Sequence, residues 1–101
     1  MTVEKILFFL NVYGEGYPLG MAKVFEVPVN RIQQQLKRLE NSGIVVSRLM
    51  GKVRLYTFNP QYPFLKELKP FLSKAYEFLP DKEKDKYYKL RTRPRKADKP
   101  L

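Results

Sequence analysis

Apolar residues recur at helical spacing along much of this chain and crowd together between two short glycine signals, and these changes of pattern divide it into elements. Val3, Ile6, Leu7 and Leu10 share one helical stripe, which predicts a first helix over residues 2–12, with Thr2 as N-cap and Gly14 and Gly16 ending it. Phe8, Phe9 and Val12 fall outside that stripe. Either the helix is buried on two sides or these residues form a subunit interface. Tyr17, Pro18 and Leu19 open a short second helix ending near Phe25, with Met21, Ala22 and Phe25 facing inward. A tight connection through Glu26 and Val27 leads to a third helix over residues 28–42. Ile32, Leu36 and Leu39 form its inner face and Gly43 its stop.

The period then changes. Branched and aromatic residues over 44–49 and 53–58 flank Met50, Gly51 and Lys52, which reads as a β-hairpin closed by Asn59 and Pro60. Both runs carry large apolar residues on both faces, so alternation leaves the inward face open. A wide apolar band of Phe64, Leu65, Leu68, Phe71, Leu72, Ala75, Phe78 and Leu79 predicts a helix over 64–79, kinked or split by Pro70 near Lys69. Residues 81–90 are charged and suit a short exposed helix ending in Tyr87 and Tyr88. From Arg91 the composition narrows to Arg, Lys, Pro and Asp, the signature of a disordered tail. The expected organisation is one α+β, mainly α domain over 1–80, followed by a basic tail over 81–101.

Charge and composition narrow the function. The chain has 101 residues, no Cys and no His, and a formal charge of +10. Without thiolates or imidazoles, soft-metal sites and the usual general base are missing. No glycine-rich phosphate loop or Asp-rich calcium loop appears. The expectation is no enzyme, no cofactor and no metal. No run approaches the ~20 apolar residues needed to span a bilayer, and the cytoplasm is the expected compartment. The excess charge is local: residues 44–60 contribute +3 and residues 81–101 contribute +5. A polyanionic partner accounts for that distribution, although surplus lysine also serves solubility.

The third helix is free of acids over residues 27–39 and offers Val29, Asn30, Arg31, Gln33, Gln34, Lys37 and Arg38 away from its apolar stripe. A helix of about 14 residues is ~21 Å long and fits a major groove ~12 Å wide. Gln33 and Gln34 suit bidentate contacts to adenine and Arg31 or Arg38 to guanine, while Val29 is placed to touch a thymine methyl. Gln35 leans toward the core. Arg48, Lys52 and Arg54 surround the hairpin turn without a compensating acid.

Residues 21–45 carry Met21, Ala22, Phe25, Val27, Ile32, Leu36, Leu39, Gly43, Ile44 and Val45 at fixed intervals. This stretch resembles the winged helix-turn-helix regulators of bacteria and archaea, closest to the ArsR-like and MarR-like branches, over residues 3–79. Glu26 stands where the family has a turn glycine, which predicts a left-handed residue there. Pro28 replaces the usual serine cap, so a capping hydrogen bond is lost. The resemblance implies a three-helix core, a hairpin wing, and double-stranded DNA as partner. The third helix would enter the major groove and the wing would lie on the backbone or in the minor groove. It also implies a homodimer through the first and last helices, for which Phe8, Phe9, Val12, Phe71, Tyr76 and Phe78 supply apolar surface. Arg91, Arg93, Arg95 and Lys96 are similar to minor-groove hooks built on Arg-Gly-Arg-Pro, with Thr92 in the glycine's place. A rival reading is a winged-helix adaptor, or the small protein partner of a neighbouring toxin or nucleotidyltransferase. The acid-free third helix argues against that rival. An RNA-binding enzyme subunit is weaker still, since stacking aromatics on a sheet are not evident.

Overall fold

The computed structural model describes residues 2–89. Three helices come first: α1 (Thr2–Tyr13), α2 (Pro18–Phe25) and α3 (Val29–Asn41). An antiparallel hairpin of β1 (Val45–Met50) and β2 (Val53–Phe58) follows, then α4 (Leu65–Glu77). A helical turn, α5 (Asp81–Glu83), continues into a π-helical segment, Lys84–Tyr88. The architecture is α+β and mainly α.

The core forms where the apolar stripes converge. Ile6 and Leu10 of α1, Met21, Ala22 and Phe25 of α2, and Ile32, Leu36 and Leu39 of α3 are buried together. Val45, Tyr56, Phe58, Leu72 and Tyr88 complete the cluster. Pro18 sits in the first turn of α2, where its missing N–H costs nothing. Glu26 closes that helix in the left-handed region at φ 59°, with its N–H donated to the Ala22 carbonyl. Pro28 is the N-cap of α3 and offers no side-chain capping bond.

The hairpin pairs Val45 with Phe58 and Met50 with Val53, leaving Gly51 and Lys52 as a two-residue turn. Gly51 takes the positive φ that glycine-first hairpin turns require. The inward face carries the buried Val45–Phe58 pair and Ser47 opposite Tyr56. Gly16 adds one rung on the other edge of β2: its N–H donates to the Tyr56 carbonyl at 3.0 Å, and the Tyr56 N–H donates back at 2.8 Å. A Cβ at Gly16 would lie 2.7 Å from Met21 Cε and 2.9 Å from Phe9 Cε1, so glycine permits this close approach. Asn59 ties off the hairpin, donating from Nδ2 to the Gly43 carbonyl and accepting from the Gln61 N–H.

Two expectations need correction. Of the kink or split expected at Pro70, the split does not occur: the fourth helix runs from Leu65 to Glu77 with Pro70 inside it. Pro70 and Lys66 are both exposed, so the Lys66 carbonyl that Pro70 leaves without its helical donor lies on the solvent side of the helix. Nor does packing stop at Pro80. Tyr88 is buried and Tyr87 half-buried, and the segment containing them folds back onto α1 and α2. The Tyr13 hydroxyl donates to the Tyr87 carbonyl at 3.2 Å, and Lys5 Nζ lies 4.8 Å from the Tyr87 ring centre.

Candidate nucleic-acid interface

The outer face of α3 follows from its anchoring. With Ile32, Leu36 and Leu39 buried, helical geometry turns Asn30, Arg31, Gln33, Gln34, Lys37 and Arg38 outward, and all six are exposed. Val29 is half-buried and packs against the core, so less of it is available for contact than the others. Gln35 is half-buried. Gln34, Lys37, Arg38 and Asn41 border one shallow depression. Sequence reasoning missed Asn41, although it lies seven residues beyond Gln34 and therefore on the same stripe.

The hairpin holds its cations differently. Arg48 pairs with Leu55 and Arg54 with Leu49, so Arg48 and Arg54 project from opposite faces of the sheet. Arg54 is tied down: its Nη1 donates to Ser47 Oγ at 3.0 Å, and the Ser47 hydroxyl donates to Glu40 Oε2 at 2.8 Å. This chain links the last turn of α3 to both strands and occupies the one acid in α3. Burial, and then the Glu40 charge, hold the neighbouring Tyr56 hydroxyl above its ordinary pKa, against the opposite pulls of Arg54 and Ser47. Lys52 sits exposed at the turn.

Among the described residues, Arg31, Lys37, Arg38, Arg48 and Lys52 form no ion pair. Four C-terminal lysines are different. Lys74 pairs with Glu77, Lys84 with Asp81, Lys89 with Asp85, and Lys86 with Glu26. Among the described residues, Lys23, Lys66, Lys69 and Lys82 form no ion pair either, so the cations of α3 and the hairpin are set apart by their place on one helix face and one hairpin, not by lacking partners.

The residues expected at a subunit interface divide into two groups. Phe8 packs against Tyr76 and Tyr88, with ring centres 6.5 and 5.8 Å apart, and Phe9 packs against Phe25 and Tyr13. Phe8, Phe9 and Tyr76 are thus occupied inside the protomer: Tyr88 packs on Phe8 and Tyr76, and Phe25 of α2 packs on Phe9. Val12, Phe71 and Phe78 are exposed, Phe71 at 66 % and Phe78 at 79 %. Phe64, at 62 %, continues the line.

Arg91, Arg93, Arg95 and Lys96 lie outside the described residues. Among the described residues no cluster of three or more His, Cys, Asp or Glu could hold a metal, and no helix is long and apolar enough to cross a membrane. No protein-family model and no curated protein matches the chain.

Proposed function

We propose that this chain is a winged helix-turn-helix protein of the cytoplasm that binds double-stranded DNA in a sequence-specific manner and regulates transcription. The observation that carries the reading is the outer face of α3: amides and unpaired cations on a helix whose opposite face is locked into the core. Two features of the backbone support it. The α2–α3 connection turns tightly through left-handed Glu26, and Gly16 pairs with β2, so the hairpin has a third short strand-like edge. Both fit a winged helix. In this reading Gln33, Gln34, Arg31 and Arg38 read base edges, with Asn30, Lys37 and Asn41 beside them. Arg48 and Lys52 hold phosphates, which sets the register in which the helix reads. The test is the salt dependence of duplex binding. With roughly six phosphates neutralised per dimer, log affinity falls with a slope near −5 against log salt. A flat response, or no duplex binding at low salt, sinks the reading.

The reading includes a homodimer, now resting on α4 rather than on α1. Phe64, Phe71 and Phe78 recur every seven residues, Phe71 on the exposed side of α4 and Phe64 and Phe78 at its two caps, the spacing of a helix-pairing seam. Glu67 and Lys74 flank that seam. In an antiparallel pair centred on Phe71, Phe64 meets Phe78 of the partner subunit and Glu67 comes within one residue of Lys74 of the partner subunit. Light scattering on the full chain should give the dimer mass, and Phe71→Glu the monomer mass. A wild-type monomer at tens of micromolar, or a dimer indifferent to Phe71→Glu, removes this interface.

A further inference from the structure

The tip of the hairpin carries large apolar side chains that are open to solvent. Leu49, Met50 and Val53 are all exposed, on a ribbon whose last buried residue toward the tip is Tyr56. Apolar side chains on a projecting hairpin invite association, so they call for a partner. Pairing puts Leu49 opposite Arg54 on one face of the ribbon and Met50 opposite Val53 on the other. Gly51, which has no side chain, and Lys52 close the end between them. The tip is therefore an apolar wedge flanked by Arg48, Lys52 and Arg54. No acid occurs between Glu40 and Glu67, so the whole ribbon is free of negative charge.

The base of the ribbon is held to α3. Only Ser42, Gly43 and Ile44 separate α3 from β1, and Ser47 bonds both Glu40 of α3 and Arg54 of β2. From the Val45–Phe58 pair to the Met50–Val53 pair is five residues along β1, a projection of ~17 Å. Half a turn of duplex is also ~17 Å, the step along one face of DNA from a major groove to the next minor groove. With α3 in the major groove, the tip has the length to reach the adjoining minor groove. A ribbon with side chains on both faces takes up about 10 Å, whereas the minor groove is ~6 Å wide. Entry requires the groove to open. Leu or Met inserted between base pairs opens it, unstacking the step and kinking the duplex toward the major groove.

We infer that Leu49 and Met50 form a wedge that enters the minor groove beside α3, partly unstacks one base step there and bends the duplex. The inference rests on the DNA-binding reading and gives the hairpin a second task besides holding phosphates. Arg48 and Lys52 meet the phosphate strands that border the groove. The apolar pair supplies what cations cannot, a surface that matches unstacked base faces. The cost of opening a step depends on its sequence, and pyrimidine–purine steps open most easily. The wedge thereby adds specificity at a position that α3 does not touch.

Two fluorescence measurements on the full chain test it. Energy transfer between the ends of the selected duplex reports the bend, and a fluorescent adenine analogue moved along it reports unstacking. The wild type should bend the duplex by roughly 20–90° and brighten the analogue at a step flanking the α3 contact sequence. Leu49→Thr with Met50→Thr keeps strand propensity and every charge. That variant should bind more weakly, with the wild-type salt slope, and lose both the bend and the bright step. An unbent duplex with wild-type binding intact, or a double variant that bends DNA as the wild type does, overturns the wedge and leaves the α3 reading standing. Anionic vesicles that hold the wild type but not the double variant, with the duplex unbent, would assign the tip to a lipid surface instead. No duplex binding by the wild-type chain overturns both readings.

Discussion

The third helix and the hairpin tip both offer cations to solvent, yet they are built on opposite principles. In α3 every cation sits on a helix fixed by three buried residues, Ile32, Leu36 and Leu39, so its side chains emerge at set angles. At the hairpin tip everything from Arg48 to Arg54 is exposed, including Leu49 at 63 %, and little holds the tip except the two-strand ladder. Rigidity suits hydrogen bonding to base edges, which demands fixed geometry. Attraction to phosphate is less directional and tolerates a projecting ribbon. The one link between the regions, Glu40 to Ser47 to Arg54, takes Arg54 partly out of the free cations of the tip.

The largest effect expected from this contrast is on stability. Leu36→Ala should cost about 2–5 kcal/mol by opening a cavity under α3, whereas Leu49→Ala at the tip should stay within about 0.5 kcal/mol. Urea denaturation of both variants checks this. A costly Leu49→Ala would mean that the tip is packed, not projecting.

Within the hairpin the contrast sharpens on its three cations. Arg48→Gln and Lys52→Gln should each make the salt slope of duplex binding by the dimer shallower by about two units, because each removes one phosphate contact per protomer. Arg54→Gln should change it by less, because its guanidinium is already bonded to Ser47. Three equal changes would contradict the division of the hairpin described above.

The smallest effect concerns the body that carries both regions. The Tyr88 hydroxyl is buried with no partner among the described residues. Burial, then the nearby Glu83 charge, push it far above the ordinary value of 10.0. A tyrosine whose folded pKa is raised leaves stability intact below its unfolded pKa. Above that value the unfolded chain releases a proton that the folded chain retains, so stability falls as pH rises past about 10. Tyr88→Phe should remove that alkaline loss, and at pH 7 it should be neutral or stabilising by about 1 kcal/mol. Thermal melts at pH 7 and about pH 10.5 measure both. A clearly less stable phenylalanine variant at pH 7 would show that the hydroxyl is satisfied.

The third helix was the most legible because its apolar stripe is unmixed. Ile32, Leu36 and Leu39 specify α3 and its outer face without further information. Glu26 in the glycine position and Pro28 in the cap position also told their local geometry correctly. The hairpin's inward face was not legible, because Val45, Val46, Leu49, Val53, Leu55 and Phe58 spread apolar surface over both sides. Long-range contacts decide it: the Val45–Phe58 pair and the Gly16 rung on Tyr56. The docked segment over residues 81–89 was hidden by its own charge. Asp81, Lys82, Glu83, Lys84, Asp85 and Lys86 dominate its composition, while two tyrosines carry its packing. That same docking consumes Phe8 and Tyr76, which sequence alone could not separate from the exposed Phe71 and Phe78.

The account turns on α3 as the element that reads sequence, and competition binding addresses it most directly. A duplex selected from a random pool by the full chain is competed against a scrambled duplex, for the wild type and for Gln33→Ala with Gln34→Ala. Alanine preserves the helix, and neither glutamine carries charge, so affinity for the scrambled duplex and the salt slope should stay close to wild type. Affinity for the selected duplex should fall by about 1–3 kcal/mol per lost bidentate contact. A double variant that keeps the full preference for the selected duplex would contradict the assignment of α3 as the reading helix.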